Sequence, residues 1–217
     1  MISLVLASAS PARLLTLQRA GVHPLVVVSD VDEARVIEQH ESHEGTLSAA
    51  GVAGMLAIAK AANVADRLAP GFAGGQIVLG CDSVLEFEGE VCGKPGTASV
   101  ARARWRAMRG RSGVLHTGHC LVDPAEPRLR RSESATAATK VTFADLSDAE
   151  IDAYVATGEP LQVAGGFTVD GLGAPYVTSI TGDYHNVVGV SLPLLRMMLA
   201  GLGIAWHDLR GDGEPVQ

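Results

Sequence analysis

The chain opens on a short apolar run, Ile2 to Ala7, broken only by Ser3, that stops at Ser8-Ala9-Ser10-Pro11. From Leu4 to Ala7 neither alternate face is polar, so both sides have to be covered and the run reads as a buried first strand. Pro11 stands where a helix can begin, because its missing N–H costs nothing in the first turn. Leu14, Leu15, Leu17 and Ala20 then supply an apolar helical face, and Gly21 is a suitable stop. Strand, loop and helix in that order point to a sheet with helices packed on it.

The rest of the chain continues the theme and then departs from it. Leu25 to Val28 reads as a second strand, followed by the acidic Asp30-Val31-Asp32-Glu33. Ser48 to Leu68 is Ala-rich with an apolar face, which predicts a helix containing Lys60. Pro70 to Gly75 is expected to be a loop. Gln76 to Asp82 is expected as a third strand ending in a carboxylate, and Val84 to Val91 as a hairpin around Glu88-Gly89-Glu90. Thr97 to Met108 predicts a second amphipathic helix. Val114 to Val122 and Arg130 to Phe143 read as antiparallel strands joined through Asp123-Pro124-Ala125-Glu126-Pro127. Ser147 and Glu150 form a capping box that starts a helix ending near Gly158. A glycine-rich stretch, 164–173, precedes a short strand at Tyr176 to Ile180. The last helix is expected from Leu192 to Leu202, with a frayed polar tail after Asp208. Alternating elements giving way to antiparallel pairs make the class α/β with a mixed sheet. Two lobes around a cleft is the preferred architecture, and a three-layer sandwich is the alternative.

At 217 residues, 47% hydrophobic and 19% charged, the chain fits one domain with a packed core. A net charge of −7 argues against binding DNA or RNA, which needs a basic face. It does not exclude a phosphate-bearing small molecule, because a few local cations can reverse the field inside a cleft. Cys81, Cys92 and Cys120 form no C-x-x-C pattern and read as reduced thiols of a cytoplasmic protein. No stretch reaches the roughly 18 apolar residues needed to span a bilayer.

Several strings could carry chemistry. Between a buried strand and a helix start, Ser8 to Arg13 offers unpaired backbone N–H groups, two hydroxyls and a guanidinium to an anion. Taken alone, it reads equally as a serine N-cap followed by a surface arginine. Asp82 at a strand end can hold a cation or polarise a water, and Lys94, set in Gly93-Lys94-Pro95, can return to the same side through the hairpin. The bland version is a turn aspartate and a solvated lysine. Asp30, Asp32 and Glu33 are either metal ligands or a solvated acidic turn, with at most one of Asp32 and Glu33 facing a site. Lys60, among apolar neighbours, has snorkelling as its usual explanation. The 164–173 stretch lacks the G-x-G-x-x-G fingerprint, and its alternative use is close approach to a base or sugar, with Asp170 as acceptor. His116 and His119 fall on opposite faces of a strand, which disfavours a metal pair.

Taken in order, these strings resemble the Maf family of nucleotide pyrophosphatases, related in fold to the inosine triphosphate pyrophosphatases. The resemblance rests on Leu6-Ala7-Ser8-Ala9-Ser10-Pro11-x-Arg13, Asp32-Glu33, Ala59-Lys60-Ala61, Gly80-x-Asp82-Ser83-Val84 and Gly93-Lys94-Pro95. It continues through His116-Thr117-Gly118, Ala164-Gly165-Gly166-Phe167, Asp170-Gly171-Leu172-Gly173 and the run Gly182 to Leu194. It implies phosphate binding by Ser8, Ser10, Arg13, Lys60 and Lys94. Glu33 and Asp82 are implied to hold a divalent cation, Mg2+ or Mn2+, or to activate the water, with Asp82 as proton acceptor. It further implies a homodimer and hydrolysis of a nucleoside triphosphate, standard or modified, to monophosphate and pyrophosphate. Ala12, Ser83 and Asp170 match neither the pyrimidine-preferring nor the 7-methylguanosine-preferring pattern, so the resemblance carries no base preference; Ser83 and Asp170 remain substrate-binding candidates. The acidic Asp170 favours a base with an exocyclic amine or ring N–H, of the guanine or cytosine type. A nucleotide-sensing regulator of septum formation, with little turnover, is the alternative function.

Overall fold

The computed structural model describes residues 2–69, 75–124 and 132–209. Seven strands build one sheet: β1 (Ser3–Leu6), β2 (Leu25–Val26), β3 (Gln76–Phe87), β4 (Glu90–Cys92), β5 (Ser112–Val122), β6 (Ser132–Phe143) and β7 (Val177–Thr181). Their order is β2-β1-β3-β5-β6-β7, with β4 paired to β3. β1 is parallel to β2 and β3, and the remaining pairings are antiparallel. The expected mixed α/β class is therefore the observed one.

The helices are α1 (Pro11–Arg19), α2 (Glu33–Glu44), α3 (Ala49–Leu68), α4 (Ala98–Met108), α5 (Asp148–Ala156), α6 (Tyr184–Val188) and α7 (Leu192–Gly201). Their starts follow from side-chain oxygens that satisfy free N–H groups of the first turn. Ser10 accepts from the Arg13 N–H, Thr97 from Val100 and Ser191 from Leu194. The Ser147–Glu150 capping box is reciprocal, as its spacing predicts.

Alternation along the central strands feeds two faces. Leu4, Leu6, Ile77, Leu79 and Leu121 pack with Leu17, Leu195 and Leu199 on one side, whereas Val5, Val78 and Cys120 meet Ala57, Ala61 and Val64 of α3 on the other. Farther along the same sheet, Trp105, Phe143, Tyr154 and Phe167 form a second, aromatic core under α4 and α5. The cleft lies between these two cores.

α3 approaches the sheet unusually closely. A Cβ on Gly118 would overlap the Ala53 carbonyl, and one on Gly80 would overlap that of Ala57. Alanine on the helix and glycine on the strands let backbone meet backbone, and this contact sets how far Lys60 reaches.

Three expectations need correction. β3 does not end at Asp82; it runs twelve residues, to Phe87, as one strand. Its outer edge pairs with β1 only through Gln76–Leu79 and with β4 only from Leu85, so Gly80 to Val84 lie in the interval between. Asp82 thus sits at mid-strand, where the sheet opens into a gap. The second strand is also shorter, Leu25–Val26 instead of Leu25 to Val28. The acidic turn in turn proves to be a helix start: Asp32 caps α2 through the Arg35 N–H at 3.1 Å, and Glu33 is its first residue. The hairpin at Glu88-Gly89 is as expected, with both residues at positive φ, 53° and 84°. The loop at 70–74, most of the 123–127 connection and the tail from 210 lie outside the described residues.

Candidate active site

The gap in β3 is the floor of a cleft of about 510 Å³. Ser8, Ser10, Arg13, Glu33, Lys60, Asp82, Ser83, Lys94 and Asp170 all line it, whereas Asp30 and Asp32, the other two carboxylates of the acidic string, do not. The nine come from the β1–α1 loop and the first turn of α1, the start of α2, α3, β3, the turn after β4 and the 164–173 stretch. No local segment could have supplied the set.

Arg13 is buried although it lies in the first turn of α1, two residues after the exposed Pro11. Its Nε donates to the Gly189 carbonyl at 2.7 Å, and its two terminal nitrogens donate to Ser8 Oγ at 2.9 Å and Ser83 Oγ at 3.0 Å. Ser83 Oγ in turn lies 2.9 Å from Thr117 Oγ1, which donates to the Asn186 carbonyl at 3.1 Å. The fully buried Asn186 amide donates to the Leu115 carbonyl at 3.1 Å and Thr139 Oγ1 at 3.0 Å. A guanidinium held on three sides keeps one orientation, which is what recognition of a planar or forked anion requires. Ser10 caps α1 beside it, adding the helix N-terminus to the same wall.

Lys60 does not snorkel. It is buried, and its Nζ lies 2.5 Å from Asp82 Oδ1 and 2.7 Å from Glu33 Oε1. Burial pushes the Asp82 carboxyl above its ordinary range, since Lys60 and Arg13 only partly offset the loss of water and Glu33 adds like charge. Burial acts on Glu33 in the same sense, but it is half-exposed, and the Lys60 hydrogen bond and charge, with help from Lys94 and Arg13, bring it below its ordinary value. Two carboxylates around one ammonium are thereby driven apart in basicity. Asp82 is the better proton acceptor of the two, and Glu33 the more firmly ionised.

Lys94 is exposed at the mouth and has no ion pair among the described residues. Its turn is fixed from outside: the Gly93 carbonyl accepts from Arg104 at 2.5 Å and from the Gly165 N–H at 3.2 Å. The Gly96 N–H donates to the Leu161 carbonyl at 2.9 Å. Asp170, also exposed, lines the same cleft.

The two strand histidines point apart. His116 Nε2 meets Glu86 at 2.9 Å, while His119 Nδ1 donates to the Thr117 carbonyl at 3.0 Å and its Nε2 accepts the Ser191 N–H at 2.8 Å. Burial, with Arg13 nearby, lowers the His119 pKa from 6.5 to about 4. An unfolded chain would take up this proton first, so the stability is present above pH 6.5 and lost as pH falls towards about 4. The loss is on the order of 3 kcal/mol. Histidine nitrogen NMR should find His119 neutral with the proton on Nδ1 at pH 5.5. A ring that titrates with the exposed histidines would contradict the arrangement.

The residues that sequence reasoning did not single out are Thr117, Asn186 and the Gly189 carbonyl. All fall within strings that carried the resemblance, yet nothing in an isolated threonine or asparagine marks it as the support of an arginine seventy or more positions away.

A nucleoside triphosphate pyrophosphatase of Salinispora tropica is 54% identical over 97% of this chain and 88% of its own length. One from Streptomyces avermitilis is 51% identical over 95% and 93%, respectively. A solved structure of a nucleoside-triphosphatase (dITP/XTP pyrophosphatase) from Mycobacterium abscessus covers 67% of this chain and 76% of that one, at 18% identity and a TM-score of 0.32, too distant to argue from. The match to the Maf-like protein family extends over residues 3–202, from the first strand past the last helix, and the chain belongs to that family.

Proposed function

We propose that this protein hydrolyses nucleoside triphosphates at the α-phosphorus, releasing the monophosphate and pyrophosphate. The observation that carries the reading is the Lys60 bridge between Glu33 and Asp82, set in one cleft with Arg13, Lys94 and the start of α1. A chain of net charge −7 has here gathered three cations and a helix N-terminus around one carboxylate of raised basicity. That is an arrangement for a polyanion and a water, and the names of the relatives agree with it.

In this reading Ser8, Ser10 and the first turn of α1 bind phosphate oxygens, while Arg13, Lys60 and Lys94 oppose the charge that moves onto the leaving group. Asp82 orients the water and takes its proton as the new P–O bond forms. The bond from the α-phosphorus to the bridging oxygen breaks, and pyrophosphate leaves with that electron pair. Two hard carboxylates, Glu33 and Asp82, would hold a divalent cation such as Mg2+ or Mn2+. When bound, such an ion supplies electrostatic stabilisation and lowers the pKa of its water. Asp170 is assigned to the nucleoside end, accepting from an amine or ring N–H, and Ser83 contributes to substrate binding beside Arg13, from which its hydroxyl accepts at 3.0 Å. We place the protein in the cytoplasm, on its three free thiols and the lack, among the described residues, of any helix able to cross a membrane.

A panel of standard and modified triphosphates, with Mg2+ or Mn2+, tests the reading. Equimolar monophosphate and pyrophosphate are expected, with the best substrate carrying a hydrogen-bond donor on its base. Tight binding without product would favour the nucleotide-sensing alternative, and release of orthophosphate alone would place the attack at the wrong phosphorus.

A further inference from the structure

Glu159 has no place in the chemistry above, yet its carboxylate accepts from donors on three sides. Oε1 receives the Tyr154 hydroxyl at 2.9 Å, the Thr168 hydroxyl at 2.6 Å and the Gly173 N–H at 3.0 Å, and Oε2 receives the Leu172 N–H at 2.9 Å. Three of these four donors belong to the segment Thr168–Gly173. That segment wraps closely enough that a Cβ on Gly171 would stand 2.5 Å from Glu159 Oε2, and one on Gly173 would stand 2.5 Å from the Tyr154 hydroxyl. Gly158, at φ 78°, turns the backbone immediately before Glu159. Behind the carboxylate, the Tyr154 ring is buried against Trp105 at 5.6 Å and Tyr176 at 5.3 Å, and the Trp105 indole holds the Gly166 carbonyl at 2.8 Å. The segment is thus fastened to the aromatic core at both ends. Between the fastenings, Thr168 and Asp170 line the cleft. These hydrogen bonds keep Glu159 ionised, below its ordinary pKa despite partial burial.

We propose that Glu159 is a positioning residue for nucleotide discrimination, holding the Thr168–Gly173 loop so that Asp170 stands at a fixed height on the cleft wall. The proposal rests on the assignment of Asp170 to the nucleoside end. Only an acceptor with two oxygens can satisfy donors from three sides. Glutamine must turn an NH2 towards at least one of them, leaving a donor facing a donor. The Asp170 side chain makes no hydrogen bond or ion pair among the described residues, so its place is set by the backbone on either side.

The test is steady-state kinetics of wild-type, Glu159→Gln and Tyr154→Phe proteins on ATP, GTP, CTP, UTP and dTTP. Calorimetric binding of the matching α,β-methylene analogues runs in parallel. Glu159→Gln should raise KM for the best nucleotide about tenfold or more, change kcat less than about threefold, and shrink the preference between best and worst nucleotides by about tenfold. Tyr154→Phe, which removes one donor and leaves the carboxylate, should move the same quantities in the same direction by less. If Glu159→Gln does not fold, Tyr154→Phe and Thr168→Val carry the comparison. A fall in kcat with KM and preference unchanged would overturn the proposal, as would kinetics identical to wild type. Should the wild-type protein bind nucleotides but release no pyrophosphate, the proposed reaction fails while the calorimetry still decides the role of Glu159.

Discussion

Asp82→Asn is expected to lower turnover by roughly 10²–10⁴-fold, the range lost with a positioned proton acceptor, while the protein melts no lower than wild type. The first half follows from the place of Asp82, at mid-strand in the gap between β1 and β4, with its basicity raised by burial. An amide of the same shape cannot take the proton. The second half follows from the same burial: the carboxylate is held charged against a desolvation penalty, and the amide removes that penalty. Lys60 keeps Glu33 as a partner at 2.7 Å, so the substitution does not strand its ammonium. Pyrophosphate release and thermal melting on one preparation check both halves. Normal turnover would remove Asp82 from the reaction. A collapsed melting point would make it a structural ion pair.

Gly118→Ala is expected to be the most destabilising single methyl group in the cleft region, costing more than the ~1–3 kcal/mol of ordinary overpacking. Most added methyls meet the end of a side chain that can turn aside. Here the added carbon meets the Ala53 carbonyl and the Gly54 amide of α3, which cannot move without moving the helix. Lys60 rides on that helix, seven residues along from Ala53. Any molecules that do fold should therefore have lost the alignment of Nζ with Asp82, and activity should fall further than stability alone explains. Denaturant unfolding with activity per folded molecule separates the two effects. A variant as stable and active as wild type would mean that α3 and β5 are not in the contact described.

Much of the frame was legible because its signals are local. The apolar run of β1, the Ala-rich α3 and the Ser147–Glu150 capping box each depend on residues within a few positions of one another. α2 was missed for the complementary reason. It buries none of its residues, so Glu33 to Glu44 offers no strong apolar period, and only the string at its start, Asp30 to Glu33, stands out, as an acidic turn. β3 was cut short because a charged residue inside a buried run looks like an end. Tertiary structure alone reveals that the strand passes through a gap where a carboxylate is wanted. At the opening loop the two readings were never alternatives: Ser10 is a helix cap, and Arg13 is a buried guanidinium three residues later. Its fixed orientation depends on Ser83 and the Gly189 carbonyl, 70 and 176 positions away, and no window of sequence contains them.

The ammonium of Lys60 belongs to two carboxylates before any phosphate is considered. A phosphate ligand must therefore compete for that cation, and it competes in proportion to its own charge. A triphosphate outbids the carboxylates more readily than a monophosphate, which brings fewer negative oxygens to the same contest. In the proposed reaction the pairing would therefore favour the triphosphate over the monophosphate product, and Glu33 and Asp82 would reclaim the lysine once pyrophosphate has departed.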